Sequence, residues 1–171
     1  PDYKTAKEIF DIAESYGTKF FSSSALRYGT ELDEILDSKA IITQGGGGNL
    51  DEYIIHQIEM AVKVIGEEAE KIRVEKQGNN QYIVTVVFAN DKQATMLYSS
   101  AYGFSVCAET KSGKTINKAI VSETFINLLT DILHFYKTGE LSFDINQTLQ
   151  VMKIRETVIK GKEKLGVWIK L

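Results

Sequence analysis

A run of four glycines that leads directly into a helical pattern constrains the fold of this sequence more than any other feature. The run occupies positions 45–48 and follows a β-prone stretch at 39–43. Asn49 is a favourable N-cap residue, and Glu52 stands three residues on, where the acid of a capping box belongs. The sequence therefore predicts a strand, a glycine loop and a capped helix that begins at Asp51.

The predicted helix has an apolar face and a charged face. At about 100° per residue, its apolar residues fall on a single stripe. They are Ile54, Ile55, Ile58, Ala61, Val62 and Ile65. The opposite stripe carries Glu52, His56, Glu59 and Lys63, at steps of three or four residues. An imidazole flanked by carboxylates is suited to acid–base catalysis, because its pKa lies near neutral pH. An ordinary solvated helix face has the same pattern, so both interpretations stay open at this point.

The glycine loop itself also allows more than one interpretation. Backbone amides at a helix N-terminus favour an anion such as phosphate. However, Gly46-x-Gly48-x-x-Asp51 lacks the third glycine or alanine of the dinucleotide fingerprint, so we reject that motif. What remains is a mobile loop that needs positive φ, or a close approach of the backbone to a ligand or another domain.

Composition narrows the classes of protein that this chain can represent. The 171 residues fit one domain, spanning 1–171, and a net charge of −3 without a basic run argues against a nucleic-acid partner. No window approaches the roughly 20 apolar residues that span a bilayer, so no membrane partner is expected. Cys107 is the only cysteine, which excludes an internal disulfide and favours a reducing, cytoplasmic location. The chain begins at Pro1 rather than methionine, and we expect it to be a piece of a larger protein.

Patterning along the rest of the chain predicts an α+β fold. A capping box at 5–8 opens a helix that stops near Gly17, a strand follows at 18–28, and a short helix at 30–36. Beyond the glycine loop come hairpin-linked strands and then helices. The strands are predicted at 69–76, 82–89, 93–100, 105–110 and 115–120, the helices at 121–137 and 144–160, and a terminal strand at 167–169. The sequence thus predicts an open, mainly antiparallel sheet with helices packed on one face, and a free second face that a partner covers.

Other chemistry-bearing residues are few. Arg27 could offer its planar fork to a carboxylate, a phosphate or a sugar hydroxyl, or could simply be exposed. His134 lies within an apolar helix and is interpreted as structural, and Cys107 as an inert core thiol. No histidine or cysteine repeats at the spacing of metal ligands, so no metal site is predicted.

Three segments together resemble a known family. They are 6–14 with 21–28, the helix at 52–60, and 125–149. In this order they resemble the C-terminal domain of the glucose–fructose oxidoreductase, inositol dehydrogenase and rhizopine-catabolism (Gfo/Idh/MocA) family. The resemblance implies a dihydrodipicolinate-reductase-like open sheet that supplies substrate contacts and an oligomer interface.

The resemblance also implies the chemistry. Family members carry an N-terminal Rossmann domain that binds NAD or NADP and ends in a Glu-Lys-Pro motif. Both are absent here, so no cofactor-binding residue is expected in this chain, and its partners are its own Rossmann domain, a small-molecule substrate and a second copy. His56 matches the family's acid–base histidine, and Glu52 stands where an aspartate is usual. Arg27 and Tyr28 match the segment that lines the cleft, and Tyr53 is assigned with Glu52 to the substrate.

Two functions of different classes therefore remain open. One is the substrate-binding and oligomerisation domain of an NAD(P)-dependent oxidoreductase that acts on a sugar, polyol or related hydroxyl compound. The other is a non-catalytic module that dimerises through its sheet, in which His56 is merely a surface residue.

Overall fold

Seven strands form one open sheet in this computed structural model, which describes residues 2–110 and 112–171. The strands are β1 (Ala40–Gly45), β2 (Ala69–Gly78), β3 (Gln81–Phe88), β4 (Gln93–Ser99), β5 (Ser105–Glu109), β6 (Thr115–Ala119) and β7 (Ile169–Lys170). Their order across the sheet is β6-β5-β1-β4-β3-β2-β7. Only the central pair, β1 and β4, is parallel, and the other pairs are antiparallel. The predicted α+β class and mainly antiparallel sheet are confirmed.

Helices cover one face of this sheet. The α-helices are α1 (Tyr3–Ser15), α2 (Leu50–Ile65), α3 (Thr124–Thr138) and α4 (Ile145–Gly161). Helices α2 and α4 lie directly on the strands, while α1 packs on α4. Helix α3 packs instead against a short 3-10 helix at Ala25–Tyr28, which a second 3-10 helix at Thr30–Ile35 follows. Within the described ranges, no helix is both long enough and apolar enough to cross a bilayer.

Successive side chains along each strand point to opposite faces of the sheet. Residues such as Ile72, Val84 and Met96 point toward α2 and α4 and are fully buried. The opposite face carries partly exposed apolar side chains at the centre of the sheet. They are Ile42, Ile83, Val87, Leu97 and Cys107. We expected the Cys107 thiol in the core, but it lies on the outer face of the sheet.

Helix ends follow local capping chemistry. Asn49 caps α2 as predicted, with its Oδ1 accepting from the N–H of Glu52 at 3.0 Å. Gly66 ends α2 in the left-handed region at φ 68°. At α1 the prediction was wrong, because Asp2 rather than Thr5 is the cap and its Oδ1 accepts from the N–H of Thr5 at 2.7 Å.

The strand predicted at 18–28 was also wrong. Residues 25–28 form the first 3-10 helix, because Ser24 Oγ accepts from the N–H of Leu26 and turns the chain. Residues 18–24 have no regular structure and pair with no strand of the described ranges. Phe20 and Phe21 nevertheless pack against two different helices. The ring centroid of Phe20 lies 4.8 Å from that of Phe10 in α1, and the ring centroid of Phe21 lies 5.2 Å from that of Phe135 in α3.

The glycine run serves packing rather than turning. None of its four residues has positive φ, so the expected left-handed loop was wrong. A Cβ on Gly46 would lie 1.7 Å from the carbonyl oxygen of Ser99, and one on Gly47 would lie 2.2 Å from the ring of Tyr53. The close approach is therefore to the chain itself, and it seats the start of α2 on the end of β4.

Candidate functional site

His56 lies in the second turn of α2 with one ring nitrogen already engaged. Its Nδ1 lies 2.7 Å from Oγ of Ser24, which is buried at the N-terminal end of the first 3-10 helix. No group in the described part of the chain bonds Nε2. One nitrogen is thus fixed by the protein, and the other is left to exchange a proton with a ligand.

Aromatic rings hold the imidazole from both sides. The ring of Tyr53 lies 5.8 Å from it, and the ring of Phe104 lies 5.6 Å from it, both edge-on. This packing half-buries His56, and desolvation lowers its pKa below the ordinary value of 6.5. His56 is therefore neutral at pH 7, which is the form that a general base needs.

A buried ion pair lies one turn further along α2. Glu59 Oε2 lies 3.0 Å from Nη1 of Arg27, and the side chains are only 3% and 5% exposed. The Arg27 guanidinium also donates to Gln147 of α4 and lies over the ring of Phe143. Burial raises the pKa of Glu59, while the Arg27 charge opposes that rise. One of the two interpretations left open for α2 put Glu59 on a solvated face. That was wrong, because the first 3-10 helix covers it and supplies its counter-ion.

The same segment links this pair to the imidazole. The backbone N–H of Ser24 opposes the rise in the pKa of Glu59, and its hydroxyl contacts His56. Ser24 therefore lies beside both the buried ion pair and the imidazole.

Tyr28 lies in a cleft that is separate from the imidazole. Its hydroxyl donates to Asp131 of α3 at 2.6 Å, and burial, assisted by this bond, raises its pKa. The cleft has a volume of about 700 Å³ and is also lined by Arg27 and by Lys63, which is paired with Asp33 at 2.7 Å. The structure thus divides the five predicted site residues: His56 and Tyr53 are together, and Arg27 and Tyr28 face another cleft.

Glu52 occupies a third position. It is exposed on the first turn of α2 and lines a cleft of about 370 Å³ between α1, α2 and α4. It is one turn from His56 on the same helix, so it can reach a ligand that contacts the imidazole. His134, the other histidine, was expected to pack within its helix. It is instead exposed on α3, and its Nε2 lies 3.9 Å from Oε2 of Glu140.

The described residues contain no group of three or more His, Cys, Asp or Glu side chains placed to hold a metal ion. They also offer no cradle for a dinucleotide at the glycine run. The space at Gly45, Gly46 and Gly47 is filled by Phe104, Ser99 and Tyr53 of the same chain.

Sequence reasoning missed two residues at the site. Ser24 was assigned to a strand, and Phe104 lies 48 positions from His56. The pattern Ser24-x-Leu26 before an apolar turn could have indicated an N-cap, but its contact with His56 depends on the tertiary fold.

No family model matches the sequence, and no curated protein matches it. Solved structures do share its fold. The chain matches GenD2 from gentamicin A biosynthesis in complex with NAD, at a TM-score of 0.83 and 9% identity, over 99% of this chain and 68% of that one. It matches a probable dehydrogenase from Thermotoga maritima at 0.81 and 13%, over 99% and 70%. It matches an aldose-aldose oxidoreductase from Caulobacter crescentus at 0.75 and 12%, over 99% and 69%. The fold that the resemblance implied is confirmed.

Proposed function

We propose that this chain is the substrate-binding and oligomerisation domain of an NAD(P)-dependent oxidoreductase of the Gfo/Idh/MocA family, acting on a sugar, polyol or related hydroxyl compound. The observation that carries the proposal is the half-buried His56, whose Nδ1 is fixed by Ser24 and whose Nε2 has no partner in the described part of the chain. The shared fold with dehydrogenases supports it.

His56 would serve the proton half of the reaction. A secondary alcohol loses its hydroxyl proton as it becomes a carbonyl, and a neutral imidazole can accept that proton at Nε2 when its own proton is on Nδ1. Tyr53 stands beside the ring and Glu52 lies one turn before it on α2, and both would contact the substrate. We keep Arg27 and Tyr28 as proposed substrate contacts through the second cleft, although Arg27 already has Glu59 as counter-ion.

The nicotinamide would come from elsewhere in the full-length protein, and the filled space at Gly45, Gly46 and Gly47 supports this assignment. We therefore assign the cofactor to a nucleotide-binding domain in the full-length protein, and expect this chain alone to lack dehydrogenase activity.

The docking site for that domain would be the segment at residues 18–24. In the described structure, the only bond recorded for the backbone of residues 19–23 is from Thr148 Oγ1 to the carbonyl of Ser22, at 2.9 Å. Helix α3, which packs on Phe21 through Phe135, also carries an apolar stripe whose members are each more than half exposed. They are Phe125, Ile126, Leu129, Leu133 and Tyr136. An unpaired segment flanked by apolar helix faces can accept a further strand from a neighbouring sheet.

Hydrogen exchange tests this docking site. The amides of residues 19–23 should exchange rapidly in this chain and become protected in the full-length protein, while β5 stays protected in both. Equal exchange of residues 19–23 in the two proteins would contradict the proposed docking.

The outer face of the sheet would bind a second copy. Ile42 is 46% exposed at its centre and is the cross-strand partner of Cys107. Ile42→Glu should halve the mass measured by light scattering, while Leu165→Glu, at a position 45% exposed in a loop, should not. An unchanged mass in Ile42→Glu would place the interface elsewhere.

Catalysis is tested in the full-length protein with His56→Ala. Loss of a general acid–base should lower kcat by about 10²- to 10⁴-fold with folding intact. His134→Ala is the matched control, because it removes the other histidine from an exposed position. An unchanged kcat in His56→Ala would favour the non-catalytic dimerisation module instead.

A further inference from the structure

The Ser24 hydroxyl is buried, so the partner of its proton can be identified. Its Oγ already accepts from the N–H of Leu26 at 3.3 Å. Among the described residues, the one acceptor recorded for its own proton is Nδ1 of His56, at 2.7 Å. A buried hydroxyl proton without an acceptor costs about 1–3 kcal/mol, so the hydroxyl donates to Nδ1.

Ser24 is also held in place independently of the ring. Arg27, three residues further along the chain, pairs with the buried Glu59 of α2. Because this pair ties the first 3-10 helix to α2, the hydroxyl sits at a fixed point beside His56. Tyr53 and Phe104 restrict the ring from its other sides.

We propose that Ser24 is a positioning residue that holds Nδ1 of His56 as a hydrogen-bond acceptor, so that the neutral ring carries its proton on Nε2. The tautomer follows from this network alone, while its consequence for turnover rests on the function proposed above. The nitrogen turned to a ligand is then a donor. The resting site therefore recognises an acceptor oxygen, such as the carbonyl of the oxidised substrate.

The hydroxyl suits this role better than a carboxylate would. A carboxylate only accepts and would fix the proton on Nδ1, whereas a hydroxyl can rotate about Cβ–Oγ and accept from Nδ1–H once the ring is doubly protonated. Ser24 can therefore donate to Nδ1 of the resting ring, and can accept from Nδ1–H both in the charged ring and in the neutral tautomer that takes up a proton at Nε2, without moving its backbone.

The test is nitrogen NMR of the histidine rings in this chain, which needs no cofactor, substrate or activity. The His134→Gln variant assigns the signals, because the chain has only two histidines. We expect His56 at neutral pH to carry its proton on Nε2 in the wild type and in Ser24→Thr, which keeps the hydroxyl. Ser24→Ala should show a mixture of both tautomers, and Ser23→Ala, a neighbouring serine without contact to His56, should resemble the wild type.

A ring protonated mainly on Nδ1 in the wild type would overturn the proposal, as would an unchanged tautomer in Ser24→Ala. If Ser24→Ala fails to fold, the wild-type and Ser24→Thr spectra still decide it. A silent His56→Ala in the full-length protein would instead overturn the proposed function and leave the tautomer result intact.

Discussion

Helices α2 and α3 have nearly the same length and a similar share of apolar residues, yet their surroundings differ. In α2 most residues from Ile54 onward are buried, including Gln57 and Glu59, because the sheet lies under one side and the 3-10 helices over the other. In α3 only Phe135 is buried in the described structure. An apolar helical pattern thus predicts a helix and an apolar face, but not what covers that face.

We expect the largest effect on stability at the buried ion pair between Arg27 and Glu59 of α2. Arg27→Met removes the counter-ion of a Glu59 side chain that is 3% exposed, and should lower the free energy of unfolding by about 3–5 kcal/mol in urea titrations. Glu59→Gln in the same background should recover part of the loss, since it removes the stranded charge. A loss below about 1 kcal/mol would mean that the pair is solvated.

The sign of the pH dependence follows from burial. A carboxyl with a raised pKa keeps a proton in the folded state that the unfolded chain, near 4.5, has already lost. Stability then falls as pH rises from the unfolded pKa through the folded one. Because Arg27→Met raises the pKa of Glu59 further, its destabilisation should be smaller in mildly acidic than in mildly alkaline buffer.

A pair of truncations compares the two helices directly. Ile58 of α2 is fully buried, so Ile58→Ala should cost about 2–5 kcal/mol of unfolding free energy. Leu129 of α3 is 56% exposed, so Leu129→Ala should change it by less than about 0.5 kcal/mol in this chain. Equal losses would show that the α3 stripe is covered when the chain is alone in solution.

The loop before α2 offers a matched pair of glycines. A methyl group on Gly46 would collide with the carbonyl of Ser99, and Gly46→Ala should cost about 1–3 kcal/mol by thermal or urea unfolding. At Gly48 the nearest atom lies 3.8 Å away, so Gly48→Ala should be nearly neutral. Comparable values for the two would mean that the loop rearranges freely and does not seat α2.

We expect the smallest effect on stability at the N-caps of the two helices. Asn49→Ala removes the bond to the N–H of Glu52 and should cost about 1 kcal/mol. Glu123, at the same position of α3, makes no side-chain capping bond, so Glu123→Ala should cost less than about 0.5 kcal/mol. An equal cost at both positions would remove capping as a reason why α2 is the better defined helix.

The elements set by short-range patterns could be predicted from the sequence, and those set by distant neighbours could not. The hairpin-linked strands and the N-cap of α2 were found because capping and alternation act over a few residues. The segment at 18–28 was misassigned because its aromatic and hydroxyl residues suit a strand, while Ser24 turns the chain through a local bond. His56 was proposed as a site residue, but its contact with Ser24 was not predicted, because the two residues are 32 positions apart and meet only in the folded chain.

The contact between Gly46 and the carbonyl of Ser99 limits how the specificity of this domain could be engineered. A randomised library over positions 45–47 would discard most of its members as misfolded before any of them met a new substrate. Under the proposed function, altered selectivity should therefore be sought first at Phe104, whose ring packs edge-on against His56 and whose replacement leaves the glycine backbone intact.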